Sequence, residues 1–114
     1  MGVKKKGRRK VVCNKKTYIW YVALDNDSPY HILHIVSEDK DLIIQCPLKM
    51  ATPYIISTGK IFQNSEKKGI WHRYLLPFDV PDIIAPKFVS ELILWATQGE
   101  NALEIQWNGE DIIV

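Results

Sequence analysis

The stretch Pro86 to Gln98, reading PKFVSELILWATQ, is the one long helical signal in the chain, and it restricts what everything else can form. Val89, Leu92, Ile93 and Ala96 fall at i, i+3, i+4 and i+7, while Phe88 and Trp95 widen the apolar stripe along one flank. Pro86 suits a first helical position, where a missing N–H costs nothing, and Gly99 stands where a left-handed C-terminal residue is wanted. Only Lys87, Ser90, Glu91, Thr97 and Gln98 are left for water. So apolar a helix needs a broad partner surface, and the segments around it can supply one.

Those segments read as strands. KVVCNKKTYIWYVAL, from Lys10, flanks a polar Asn14-Lys15 pair with β-branched and aromatic residues, which predicts a hairpin. In its second arm Tyr18, Trp20, Val22 and Leu24 share one face and Ile19, Tyr21 and Ala23 the other; a strand apolar on both faces belongs inside a sheet. DNDSP is a turn cluster. Residues 29–37 are compatible with a helix starting at Ser28-Pro29 or with a strand; strand is preferred, because SEDKD then LIIQC supplies a turn and a return strand that Pro47 ends. YIISTGKIF continues the strand composition, with Gly59 marking a bulge or bend; QNSEKKG reads as a solvated loop, and IWHRYLLPF as another strand. DVPDIIAP, broken by two prolines, connects to the helix. At the C-terminus ALEIQW alternates strictly before Asn108-Gly109, predicting a two-residue turn with Ile105 opposite Ile112 and Leu103 opposite Val114. The expected fold is therefore α+β: a mainly antiparallel sheet of five to seven strands built from hairpins, with one principal helix, about 86–98, packed on one face.

A chain of 114 residues with 46% apolar and 25% charged side chains has the composition of a single globular domain. No apolar run approaches the ~20 residues that cross a bilayer, and the basic start lacks a signal-peptide core, so the expected setting is cytoplasmic and no membrane partner is expected. Cys13 and Cys46 are too few and too far apart for a disulfide scaffold and are expected to be small buried hydrophobes. The net charge of +2 hides an asymmetry: Lys4, Lys5, Lys6, Arg8, Arg9, Lys10, Lys15 and Lys16 all precede the first acidic residue, Asp25, and the remainder carries seven basic against thirteen acidic groups. Residues 1–9 are expected to be a flexible basic arm on a domain spanning 10–114.

Catalytic equipment is sparse. His31 and His34 would face opposite ways on a strand, no serine lies in a G-x-S-x-G setting, and Gly59-Lys60 is no phosphate loop; no metal or cofactor is expected. An enzyme reading would require His31, His34 or His72 to converge with Asp79 or Asp82. The eight basic residues just named point instead to nucleic acid or another polyanion, with Tyr18, Trp20, Tyr21, Tyr30, Trp71 and Tyr74 as stacking platforms where they face outward. The remaining alternative is a homodimer or other protein-interaction module using aromatic surface or a sheet edge. The expected function is accordingly a small binding or interaction domain.

Overall fold

A computed structural model describes residues 8–24, 31–50, 52–63, 65, 66, 72–100 and 102–105. Nine strands and one helix follow in chain order: β1 (Arg9–Cys13), β2 (Lys16–Leu24), β3 (His31–Ser37), β4 (Ile43–Pro47), β5 (Tyr54–Ser57), β6 (Ile61–Phe62), β7 (Ser65–Glu66), β8 (His72–Leu75), α1 (Pro86–Gln98) and β9 (Glu104–Ile105). Seven of the strands form one antiparallel sheet in the order β1-β2-β3-β4-β5-β8-β9, a meander interrupted only where β8 pairs with β5. The sheet is open, and β6-β7 is a separate small hairpin between β5 and β8. The expected α+β sheet with one packed helix is present.

Local chemistry accounts for the turns. Asn14 and Lys15 both take positive φ, 51° and 67°, the geometry a two-residue hairpin turn requires. At the β3–β4 turn the Leu42 N–H donates to the Ser37 hydroxyl oxygen at 3.0 Å, and Lys40 takes the left-handed conformation. Residues 31–37 are strand, not helix: all seven pair with Tyr18 to Leu24, because burying alternate residues Leu33 and Ile35 satisfies the backbone and the core at once. Pro47 ends β4.

The pairing divides the sheet into two faces. Tyr18, Trp20, Leu33, Ile35, Ile44, Cys46, Ile55 and Tyr74 alternate onto an inner face and form one core with Phe88, Val89, Leu92, Ile93 and Ala96 of α1. Phe62 from β6 stacks on Tyr74 with centroids 4.1 Å apart and meets the edge of Trp95 at 5.4 Å, so the small hairpin fills the gap between sheet and helix. Trp95 is half-buried and also meets Phe78 edge-on. Pro86 opens the helix as expected.

The helix ends differently from the sequence expectation. Gly99 is extended, at φ −71° and ψ 175°, with no left-handed residue there. The terminus is closed by Gln63, in the turn between β6 and β7: its backbone N–H donates to the Ala96 carbonyl at 2.7 Å and its side-chain amide to the Trp95 carbonyl at 3.1 Å. Its amide oxygen accepts from the Ala102 N–H at 3.3 Å. The C-terminal carbonyls that helical geometry leaves orphaned are thus met by a remote residue. Glycine at 99 answers to crowding: a Cβ would lie 2.9 Å from the Gln63 amide nitrogen and 2.5 Å from the Trp95 carbonyl oxygen. Gly59 answers to the same need, since a Cβ there would lie 2.3 Å from the Asp41 carbonyl oxygen; the chain bends there as expected, separating β5 from β6.

The hairpin expected at Asn108-Gly109 lies outside the described residues, apart from Glu104 and Ile105, which pair with Tyr74 and Arg73. Most of the expected arm, 1–7, also lies outside them, and β1 starts at Arg9, one residue earlier than expected. Among the described residues no helix is long and apolar enough to cross a membrane. Leu92 is fully buried and Leu94 is 41% exposed on the same helix. Leu92→Ala should therefore cost about 2–5 kcal/mol in urea unfolding, and Leu94→Ala should leave the midpoint almost unchanged.

Candidate polyanion interface

The face turned away from α1 is where the remaining sequence signals gather. Register carries one row straight across it: Tyr21 opposite His34, His34 opposite Gln45, Gln45 opposite Ile56, and Ile56 opposite Arg73. Arg8, the residue before β1, extends the row past Tyr21, with its guanidinium 4.5 Å from that ring's centroid. Tyr21 stacks on His34 at 4.7 Å with the planes 10° apart. At the other end the Arg73 guanidinium lies 4.5 Å from the centroid of Tyr54, two residues from Ile56 on β5. An arginine thus covers a tyrosine at each end of one cross-sheet row.

Half-buried Ile19, Ile32, Val36, Ile43 and Leu75 surround this row, and no described element lies across it. By register this face carries the cations Arg8, Lys10 and Arg73, together with the carboxylate of Glu38, which continues β3 opposite Thr17. Such a face attracts anions and leaves flat apolar rings within their reach.

The eight basic residues picked from the sequence do not form one patch. Lys4, Lys5 and Lys6 lie outside the described residues. Arg8 and Lys10 share the outer face, whereas Arg9, opposite Trp20, turns inward and lays its guanidinium 5.6 Å from that ring's centroid, covering a core residue. Lys15 is exposed at the hairpin tip. Lys16 is held by Asp39 at 2.8 Å. Of the aromatics offered as platforms, Tyr18, Trp20 and Tyr74 are buried on the inner face, Tyr30 and Trp71 lie outside the described residues, and Tyr21 remains. Tyr54, His34 and Arg73 were missed; carrying the alternation of β2 through each hairpin register puts them on the same face as Tyr21.

The residues of the enzyme reading are arranged otherwise than it required. His31 and His34 sit on opposite faces of β3, and Asp79 and Asp82 are exposed in the connector before α1. His72 meets Glu104, its Nδ1 2.6 Å from the carboxylate Oε2. A carboxylate accepts, which puts the proton on Nδ1. Ser57 stands opposite His72 across β5 and β8, the residue types of a nucleophile, a base and its orienting acid. The Ser57 hydroxyl makes no hydrogen bond to His72, however, and Ser57 is 1% exposed, beyond the reach of a substrate. No group of three or more potential metal ligands occurs among the described residues. Cys13 and Cys46 are both free and buried as expected, and burial pushes the Cys46 thiol up to about 12. A cleft of 290 Å³ opens between the β1–β2 hairpin and the C-terminal end of α1; Lys16, Asp41 and Thr97 line it with both signs of charge and no converging set of donors.

Compared with protein-family models, curated proteins and solved structures, the chain matches none.

The Lys16–Asp39 pair gives a pH signature. A hydrogen bond from Lys16, then ones from the Ser37 hydroxyl and the Asp41 N–H, hold the Asp39 carboxyl well below the ordinary 3.8, and the same pairing raises Lys16 above 10.5. A lowered carboxyl stabilises the fold above its unfolded value and stops doing so as pH falls through its folded value; a raised ammonium stabilises below its unfolded value and stops at high pH. Both groups are more than 40% exposed, so the pair is worth about 0.2–1 kcal/mol. Asp39→Asn should lower the urea midpoint at neutral pH, and the gap to the wild type should close on acidification below 3.8. A gap independent of pH would mean that the carboxylate's charge is not what stabilises this turn.

Proposed function

We propose that the protein is a small binding module for polyanions, nucleic acid above all, which it engages through its basic N-terminal residues and the outer face of its sheet. The observation that supports this is the Arg8–Tyr21 contact. It sets Arg8, the first described residue, on the outer face of the sheet with Lys10 and Arg73. An acidic body with its cations gathered in this way presents opposite signs in different directions, which orients an incoming polyanion as well as attracting it. Two buried free thiols suit a reducing cytoplasm, where such a ligand is abundant.

Counterion release makes the reading quantitative: each phosphate neutralised contributes about −0.7 to −0.9 to the slope of log K against log salt. Deletion of the first ten residues would also remove Arg9 and Lys10, which pair with Trp20 and Ile19, and would confuse folding with binding. The test is substitution. Lys4, Lys5 and Lys6 replaced together by glutamine should weaken anisotropy-measured binding of a labelled single-stranded oligonucleotide and flatten its salt dependence by about two units. Identical slopes for both proteins would rule out the arm, and absence of binding by the wild type would rule out the module.

A further inference from the structure

The sheet border at β1 combines two features, outward-aimed backbone groups and unneutralised charge. Asn14 and Lys15 form a two-residue turn, which makes Cys13 and Lys16 a hydrogen-bonded pair. Antiparallel pairs alternate, so Val11 and Arg9 also bond β2, while Lys10 and Val12 direct their N–H and C=O groups away from it. No described strand lies on that side. The side chains of Lys10 and Val12 are exposed too, Val12 at 65%. Free backbone groups at every second residue are what an extended chain needs in order to join a sheet.

The side chains decide which chain that is. Arg8, Arg9 and Lys10 are consecutive and exposed, and no ion pair among the described residues neutralises them. The ring contacts of Arg8 with Tyr21 and of Arg9 with Trp20 leave both charges uncancelled. Toward the turn the character changes: Val11 and Val12 are apolar, and the row from Val12 through Thr17 ends at the carboxylate of Glu38. We infer that β1 takes an extended acidic peptide as an added antiparallel strand, one in which two apolar residues are followed directly by a run of carboxylates.

Register places each part of such a peptide. Its apolar pair lies opposite Val12 and Val11, one side chain on each face of the sheet. Its next three residues lie opposite Lys10, Arg9 and Arg8, so that carboxylates meet cations on both faces in turn. Antiparallel addition continues the pattern of every pair already in the sheet. A neutral or basic strand would set nothing against the three cations, so charge selects the acidic one. Nucleic acid has no peptide groups at strand spacing and can use only the charges here. The inference therefore goes beyond the polyanion reading and does not rest on it.

The test measures anisotropy of a labelled Val-Val-Glu-Glu-Glu peptide with the full chain. Two N-methylated forms carry the same charge: one is methylated on the first valine and first glutamate, which face the free groups of Val12 and Lys10, the other on the second valine and second glutamate, which face away. The first form should bind at least about tenfold more weakly than the parent, because two hydrogen bonds at about fivefold each are lost, and the second about as well as the parent. Lys10→Glu should weaken the parent peptide severalfold, and Val-Val-Lys-Glu-Glu should recover that loss. Equal affinity of the two methylated forms overturns the inference; if a single-stranded oligonucleotide also displaces both, charge alone holds them and the polyanion reading stands. Failure of the exchanged peptide to recover binding, or no binding of the parent at millimolar concentration, overturns it as well.

Discussion

The seat of α1 against the inner sheet face is the contact on which the other features depend. Five of its thirteen residues are buried there, and the helix carries no side-chain N-cap, no acidic first turn and no basic last turn to stabilise it alone. An isolated segment of this length would be marginal in water. It forms because Phe88, Val89, Leu92, Ile93 and Ala96 meet a sheet whose alternate residues already face them. Gln63 then fixes where it stops, tying its last carbonyls to the small β6-β7 hairpin, whose Phe62 fills the space beneath Trp95.

Covering one face leaves the other to be managed. The outer face is apolar enough to be costly in water, yet the described structure lays nothing over it; the stacked rings of Tyr21 and His34 and the guanidiniums of Arg8 and Arg73 over Tyr21 and Tyr54 lower that cost. The same groups make it the most distinctive surface of the molecule. By contrast His72, Glu104 and Ser57 have the right residue types for catalysis, but Ser57 is buried and makes no hydrogen bond to His72.

Much of the architecture was readable because the local signals agree. Helical spacing in PKFVSELILWATQ, the Asn14-Lys15 turn and the two apolar faces of β2 each point to the element that forms, and register follows once the turns are known. Two things were not readable. The helix C-terminus looked like a glycine cap, but the residue that closes it is 32 positions from Trp95, in a stretch whose polarity suggested plain loop. The eight basic residues formed one block in sequence, but alternation along β1 sends Arg9 to the core side and Arg8 and Lys10 to the other. A charge count cannot see that division; only strand phase can. The aromatic platforms failed for the same reason, since Tyr18, Trp20 and Tyr21 are neighbours in the chain and only Tyr21 points outward.

Among the described strands β1 ends the sheet, and it is written in charge: Arg9 and Lys10 begin a five-residue strand whose free margin would otherwise be a template for another chain. Two molecules brought together along that margin would set these cations against one another. The same side chains that invite a polyanion therefore discourage the sheet from growing by self-addition, so the border of the fold rejects its own kind.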